Sequence, residues 1–188
     1  NNANFSTPSD GQTPRMQMYL GTQALSFVVQ SPPAIARNYA SNGASFGPAA
    51  FNLTGDVVLV NDGSGTVTDG CETPFVNAAA IAGKIALIDR GSCTFKRKVK
   101  NAQDNGAVGV VIANNATGTP PGMGDDVNTA NPSIPVLSIT QCDGAAIKNQ
   151  LAIPVTVTVT LERSQRDGSL DNGVIIHEYG HGISNRLT

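Results

Sequence analysis

The chain has 188 residues, a length that one domain fills with room for parts of another. Lys and Arg number 12 and Asp and Glu number 14, and the resulting net charge of −2 argues against a surface built for nucleic acid or anionic membranes. A hydrophobic content of 40% argues against a disordered chain, and no apolar run reaches the length of a membrane span.

The two ends of the sequence indicate a piece of a longer protein. Residues 1–5 lack an initiator Met and the basic start and apolar core of a signal peptide. The chain stops at Thr188, directly after a periodic segment, with no Gly or Pro signal that ends a helix. We therefore expect both ends to continue into further chain.

Short strands separated by turns are predicted for the first part of the chain. Alternating or continuous apolar residues predict strands at 16–20, 25–29 and 56–60. The prolines at 32 and 33 end the second of these strands, and a turn-rich stretch at 61–65 follows the third.

The middle of the chain predicts a strand, a helix and a second strand, at 84–89, 93–105 and 107–113. The helix has one apolar face, and Gly106 is suited to cap its C-terminus. Because the connections are short, the pattern indicates a βαβ unit with parallel strands and a right-handed crossover. The basic run of this helix is expected to face solvent; it comprises Lys96, Arg97, Lys98 and Lys100.

A long loop and three more elements complete the predicted fold. The loop, 114–134, is rich in Gly, Pro, Asn and Asp and exceeds the usual connection length. A strand is predicted at 135–139 and an alternating, half-buried strand at 155–161. Between them, Thr140 is expected to cap a helix that ends at Leu151, with Asp143 in an approximate capping box.

The three cysteines, Cys71, Cys93 and Cys142, do not form a C-x-x-C pair, which argues against a zinc ribbon or a thioredoxin-like site. The Asn-, Ser- and Thr-rich composition suits a secreted protein, in which Cys71 and Cys93 can pair. Three buried free thiols fit the sequence equally well. One cysteine is left over in either case.

The only two histidines of the chain, His177 and His181, lie in the sequence HEYGH. On a helix, positions i and i+4 share a face, so both imidazoles can reach one Zn²⁺ ion. Glu178 then lies where it can take a proton from the attacking water. Two ordinary helical histidines are the alternative interpretation, but chance placement in this pattern is rare.

A zinc hydrolase needs three protein ligands, and this chain offers two in the motif. The other glutamates are Glu72 and Glu162, both far upstream, and no acidic residue follows Glu178. We therefore expect these 188 residues alone neither to hold zinc tightly nor to cleave peptides.

Two sets of residues resemble known protein families. Residues 171–188, DNGVIIHEYGHGISNRLT, resemble the active-site helix of fungalysin-type secreted zinc metallopeptidases, and residues 2–20 resemble the segment that precedes it. The chain between them is similar to a protease-associated (PA) domain over most of 22–163, most specifically at 60–63, 83–95, 98–103 and 106–111.

The resemblance implies three parts along the chain. Residues 1–21 would be a fragment of the peptidase domain, 22–163 an inserted PA domain, and 164–188 a linker with the start of the zinc-binding helix. The implied fold class is α+β, a β-sandwich or open β-barrel with flanking helices and one βαβ unit.

The zinc site implied by the family pattern has His177 and His181 as ligands and Glu178 as general base. The family's third ligand is a Glu on a later helix, and this chain stops before it. The parent protein is thus expected to be a zinc metalloendopeptidase and this fragment to be inactive.

The PA domain itself is implied to be non-catalytic. It would bind peptide or protein segments or gate access to the active site. The implied partners are the peptide or protein substrate and the rest of the peptidase domain, with no nucleic acid and no membrane. The resemblance also implies secretion and a disulfide between Cys71 and Cys93, with Cys142 free.

Two loops are candidates for peptide contact, on the strength of loop length and the resemblance. Their acidic and amide residues are Asn61, Asp62, Asp69, Asp125 and Asp126. Carboxylate oxygens at these positions can coordinate Ca²⁺. Ordinary turn chemistry is the alternative interpretation.

Two other functional interpretations remain open at this point. In the first, the chain is a self-standing peptide- or glycan-binding module with no protease role, and HEYGH lies in a disordered tail. In the second, an Asp or Glu from another chain completes the zinc site. A Glu-bearing helix in the sequence after Thr188 would favour the peptidase.

Overall fold

The computed structural model describes residues 24–164 and the backbone of two short strands before them, β1 (Ala3–Ser6) and β2 (Arg15–Met18). The chain divides into two compact units, one of Asn1–Ala24 with Ser164–Thr188 and one of Leu25–Arg163. In the first unit, β1 and β2 pair antiparallel. The predicted zinc-site residues His177, Glu178 and His181 lie outside the described residues.

The second unit is built on one mixed sheet of eight strands. In spatial order the strands are β4 (Arg37–Tyr39), β3 (Ala24–Ser31), β10 (Thr158–Ser164), β6 (Phe51–Leu59), β7 (Ile85–Asp89), β8 (Gly109–Ala113), β9 (Val136–Ile139) and β5 (Ser41–Asn42). The helices are α1 (Ala78–Ile81), α2 (Phe95–Asp104) and α3 (Gln141–Leu151), and a 3₁₀ turn spans Pro33–Ile35. None of the described helices is long and apolar enough to cross a membrane.

The centre of the sheet consists of parallel strands in chain order, β6, β7, β8 and β9. Strand β7 is buried from Ile85 to Ile88 and β8 along its whole length, as continuous apolar runs in a parallel sheet require. Alternation of side chains along β7 divides the core into two clusters. Ile85 and Leu87 join the cluster that contains Ile147 of α3, whereas Ala86 and Ile88 join the one that contains Val99 of α2.

Helix α2 connects β7 to the parallel strand β8, so the predicted βαβ unit is confirmed. The Thr94 hydroxyl caps the helix by accepting from the Arg97 backbone N–H, and Gly106 follows its end with φ of +89°. The prediction that the basic run faces solvent is wrong for two residues. Lys96 and Lys98 are 6% and 0% exposed, because polar groups of two loops surround their ammonium groups.

Helix α3 begins and ends at the predicted residues. The Thr140 hydroxyl accepts a hydrogen bond from the Asp143 backbone N–H at 3.1 Å and lies 2.6 Å from the Asp143 carboxylate. This arrangement gives Thr140 and Asp143 the capping role expected from the sequence.

The α+β class is confirmed, but several elements differ from the prediction. Strand β6 begins at Phe51 rather than at residue 56, because its first half is stabilised by pairing with β10 rather than by an apolar run of its own. The Thr54 and Thr160 hydroxyls, 2.8 Å apart, join these two strands. Strands β4 and β5 and helix α1 are two to four residues long, and no local pattern predicts them.

Candidate functional site

A disulfide joins the loop after β6 to the start of α2. It links Cys71 to Cys93, with a Cα–Cα distance of 5.7 Å, so the bond implied by the resemblance is present in the structure. Cys142 is a free, exposed thiol on α3. The disulfide therefore attaches a turn-rich loop, which has little regular structure of its own, to the βαβ unit.

The Lys98 side chain contacts this disulfide and is fully buried. Its ammonium donates hydrogen bonds to the Asp69 backbone carbonyl and to the Cys71 sulfur, the latter at 3.1 Å. Burial lowers the pKa of Lys98 below its ordinary value, and the nearby carboxylates of Asp69, Asp62, Glu72 and Asp89 act in the opposite direction. The ammonium thus connects the helix, the loop and the disulfide.

The loop carboxylates Asp62 and Asp69 turn inward. They are 5% and 2% exposed, and both accept a hydrogen bond from the Cys71 backbone N–H at 3.1 Å. Asp69 also accepts from the Ser92 hydroxyl at 3.3 Å. Asn61, in contrast, is exposed and folds its own turn by accepting from the Gly63 backbone N–H. In this loop only the exposed residues can meet a peptide directly, and that contact stays a prediction.

Asp62, Asp69 and Glu72 place one ligand oxygen each within 4.8 Å of one another. Asp62 and Asp69 already accept hydrogen bonds from the chain, and the Lys98 ammonium is a neighbour of the group. These contacts favour turn chemistry over cation binding. Calcium at this place stays a prediction from the sequence.

The second predicted loop contacts the N-terminus of α2. Asp125 forms an ion pair with Lys96 at 2.7 Å, and Asp126 accepts from the hydroxyls of Thr94 and Thr129 at 2.9 and 2.6 Å. Hydrogen bonding to Lys96 and to the Asp126 backbone lowers the pKa of Asp125. Thr129, the Asn128 backbone and Thr94 lower the pKa of Asp126 in the same way.

Asn101 is a buried residue of the site that sequence reasoning missed. Its side-chain amide donates to the backbone carbonyls of Gly70 and Cys71 at 3.0 and 3.1 Å. Position 101 lies off the apolar face formed by Phe95, Val99 and Ala102, so the helical pattern gave no signal for its burial. The buried amide has fixed partners, as such groups require.

Two clefts lie beside the turn that connects β7 to α2. The first, of about 500 Å³, includes Arg90, Asn114 and Lys148 in its lining; the second, of about 640 Å³, includes Cys93, Thr94 and Arg97. Ser92 borders both. Because Arg90 and Asn114 directly follow β7 and β8, the first cleft lies at the carboxyl ends of parallel strands, where open α/β sheets bind ligands.

The charged groups of the first cleft are arranged by two contacts. Lys148 pairs with both carboxylate oxygens of Asp89, at 2.8 and 3.0 Å. The exposed Arg90 guanidinium donates to the Asn114 side-chain oxygen at 3.1 Å, rather than to a carboxylate. Its remaining N–H groups can therefore donate to a ligand carbonyl or carboxylate. Arg90 was not among the site residues predicted from the sequence, although its position directly after an apolar strand was a signal.

Comparisons with known proteins agree with this fold. The family model described as the PA domain matches residues 53–147. Human ER degradation-enhancing alpha-mannosidase-like protein 3 is 31% identical over 140 residues, which are 67% of this chain and 15% of that protein. Leucine aminopeptidase 2 of Arthroderma otae is 30% identical over 129 residues, 68% of this chain and 24% of that protein.

A solved structure of BSAP, a zinc aminopeptidase from Bacillus subtilis, matches with a TM-score of 0.56 and 25% identity. The match covers 77% of this chain and 31% of that one. This chain thus spans about a quarter or less of the two curated relatives and about a third of the solved structure. With an eight-stranded α+β fold and a family match over half of its residues, the chain belongs to the PA domain family.

Proposed function

We propose that the described domain is the non-catalytic, peptide- or protein-binding module of a secreted zinc peptidase, and that it gates or supplies substrate to the active site. The observation that carries the binding role is the polar cleft at the carboxyl ends of β7 and β8. The exposed guanidinium of Arg90 in this cleft is oriented by its hydrogen bond to Asn114. Its remaining N–H groups are available to a ligand. Peptides offer carbonyls and carboxylates, the acceptors that such a group binds best.

A zinc peptidase as the parent protein is supported from two directions. Aminopeptidases are among the relatives, and one of the matching solved structures is named a zinc aminopeptidase. Independently, the HEYGH sequence supplies two imidazoles and a carboxylate at the spacing of a zinc-peptidase helix. We further propose the fungalysin-type endopeptidase that residues 171–188 resemble. An aminopeptidase is the second candidate, favoured by the names of the relatives.

The donor chemistry of the motif fits zinc, since neutral imidazole nitrogens are among its preferred ligands. In this proposal His177 and His181 hold the ion, and Glu178 takes a proton from the attacking water. Zinc bound there would supply Lewis-acid activation of the peptide carbonyl. Secretion is part of the same proposal and is supported by the disulfide, which persists in oxidising compartments.

The peptidase proposal is tested on the full-length protein that contains this chain. We expect Glu178→Gln to retain zinc and lose peptide hydrolysis by at least about a hundredfold, because a general base contributes on that order. His177→Ala is expected to lose zinc as well. Cleavage at internal peptide bonds would favour the endopeptidase, and stepwise release of N-terminal residues the aminopeptidase. Unchanged hydrolysis in both variants would contradict the roles of His177 and Glu178, and no hydrolysis by the unsubstituted protein would leave the self-standing binding module as the explanation.

The binding proposal is tested separately with matched peptides. A short peptide with a free C-terminal carboxylate is compared with the same peptide amidated, by isothermal titration. We expect the free carboxylate to bind more tightly and Arg90→Ala to weaken its binding about tenfold, as for loss of a charge-assisted hydrogen bond. Arg37→Ala, which removes a guanidinium paired elsewhere with Asp143, is the control. Equal binding of both peptides by wild type and Arg90→Ala would contradict the role of this cleft.

A further inference from the structure

The two sulfur atoms of the disulfide lie in different surroundings. Cys71 is buried, whereas Cys93 is half-buried and borders the cleft of about 640 Å³. Cys93 is therefore the cysteine of the pair that a thiol arriving from solvent through the cleft reaches first. The buried Cys71 contacts α2 through its sulfur, which lies 3.1 Å from the Lys98 ammonium.

The two sulfurs differ in their hydrogen bonds as well as in their burial. The Cys71 sulfur accepts from the Lys98 ammonium and from the Cys93 backbone N–H, each at 3.1 Å. Within residues 24–164, no hydrogen bond reaches the Cys93 sulfur. Because N–H donors and a neighbouring cation stabilise a thiolate, Cys71 is the better leaving group of the pair.

We propose that Cys93 is a site of thiol–disulfide exchange with low-molecular-weight thiols, and that Cys71 and Lys98 form the leaving-group side of the reaction. The thiolate of the incoming molecule attacks the Cys93 sulfur, a new S–S bond forms there, and the Cys71–Cys93 bond breaks. The electron pair of the broken bond stays on Cys71 as a thiolate beside the Lys98 ammonium. A second thiolate then attacks the mixed disulfide, which releases the oxidised thiol and the Cys93 thiolate.

The surroundings of Lys98 determine how it acts in this step. Its ammonium interacts electrostatically with the carboxylates of Asp69, Asp62, Glu72 and Asp89, and none of them forms an ion pair with it. The direct contacts of the ammonium are the Asp69 carbonyl and the Cys71 sulfur. The Cys71 thiolate would therefore be the negative group in direct contact with this cation.

The exchange has a consequence for the cleft. A mixed disulfide at Cys93 places the substituent of the incoming thiol beside Thr94 and Arg97, which border the same space. Complete reduction removes the covalent link between the loop after β6 and the N-terminus of α2. Thiol chemistry at Cys93 would thus alter this surface.

The first experiment uses the unsubstituted chain. It is exposed briefly to glutathione, quenched with acid, digested and mapped by mass spectrometry. We expect the glutathione adduct on Cys93. An adduct predominantly on Cys71 would overturn the proposal, and this outcome does not depend on how any variant folds.

The second experiment compares two lysines of the same helix. Lys98→Met removes the ammonium at the sulfur, and the control Lys96→Met removes a buried ammonium that pairs with Asp125 instead. We expect reduction by glutathione to be about tenfold slower in Lys98→Met and within about twofold of wild type in Lys96→Met. Circular dichroism identifies the folded variants. A folded Lys98→Met variant that is reduced as fast as wild type would contradict the role of Lys98. If Lys98→Met does not fold, the position of the glutathione adduct in the first experiment tests the proposal.

Discussion

At the scale of single residues, buried polar side chains organise the candidate site. Lys98 and Asn101 are both buried residues of α2. Both direct their polar atoms to the backbone of residues 69–71, a segment without regular structure. No buried side-chain nitrogen or oxygen among the described residues lacks a hydrogen-bond partner. The loop therefore depends on donors from the helix to satisfy its carbonyl groups.

The structure predicts that Asn101→Ala destabilises the domain through this loop. The substitution leaves the carbonyls of Gly70 and Cys71 without their amide donor, and we expect a loss of about 2 kcal/mol in the free energy of unfolding. Urea denaturation measures it. Lys100→Ala, which removes an i,i+4 pair with Asp104 on the same helix, is expected to cost less than about 0.5 kcal/mol. Equal effects of the two substitutions would contradict the role of Asn101.

At the scale of secondary-structure elements, α3 packs closely against β8 at a glycine, Gly144. A Cβ atom on Gly144 would lie 2.4 Å from the Cβ of Ala113, a distance that packed carbon atoms do not reach. Glycine costs about 1 kcal/mol in a helix relative to alanine, so local propensity opposes it here. The close contact between the helix and the sheet explains why the position is glycine.

Gly144→Ala is therefore expected to destabilise the domain by about 1–3 kcal/mol, although alanine is the better helix former. The new methyl group would push α3 away from β8. Asn149→Ala introduces the same residue at an exposed position of the same helix and is expected to stabilise the domain slightly. Thermal unfolding followed by circular dichroism compares the two variants. A higher melting temperature for Gly144→Ala than for wild type would contradict the close contact between α3 and β8 as the reason for the glycine.

At the scale of the whole domain, three aspartates link stability to pH. Hydrogen bonds from Lys84 and Thr158 lower the pKa of Asp56, at distances of 2.5 and 3.0 Å. The hydrogen bond from Lys96 is the largest of several causes that lower the pKa of Asp125. The hydrogen bond from Thr129 is the largest of those that lower the pKa of Asp126. In all three cases the folded protein binds the proton more weakly than the unfolded chain does.

We expect stability to be retained above the ordinary Asp pKa, near 3.9, and to be lost as the pH falls through the lower pKa values of the folded state. Urea denaturation between pH 6 and pH 2 follows the loss. Asp126→Asn is expected to lower stability at pH 6 and to flatten the acid-induced loss, because it removes one of the three carboxyls. Asp104→Asn, in an exposed pair with Lys100, is the control. An unchanged slope in Asp126→Asn would contradict the assignment.

The sequence by itself determined the elements whose pattern is local. The βαβ unit and the capped α3 were predictable because their apolar periodicity, caps and glycine signals lie within a few residues of each other. The family was also readable, since the residues that resemble a PA domain fall largely within the matched range 53–147. The disulfide pairing came from that resemblance, because three cysteines alone allow several arrangements.

Tertiary structure decided what depends on contacts between distant residues. The first half of β6 exists through its pairing with β10, about a hundred residues away in sequence. Lys98 is buried rather than solvated because the loop after β6, held by the Cys71–Cys93 bond, folds over it. The cleft at Arg90 forms only where the ends of β7 and β8 meet α3. Local propensity acts over a few residues, whereas burial and ligand geometry are properties of the assembled domain.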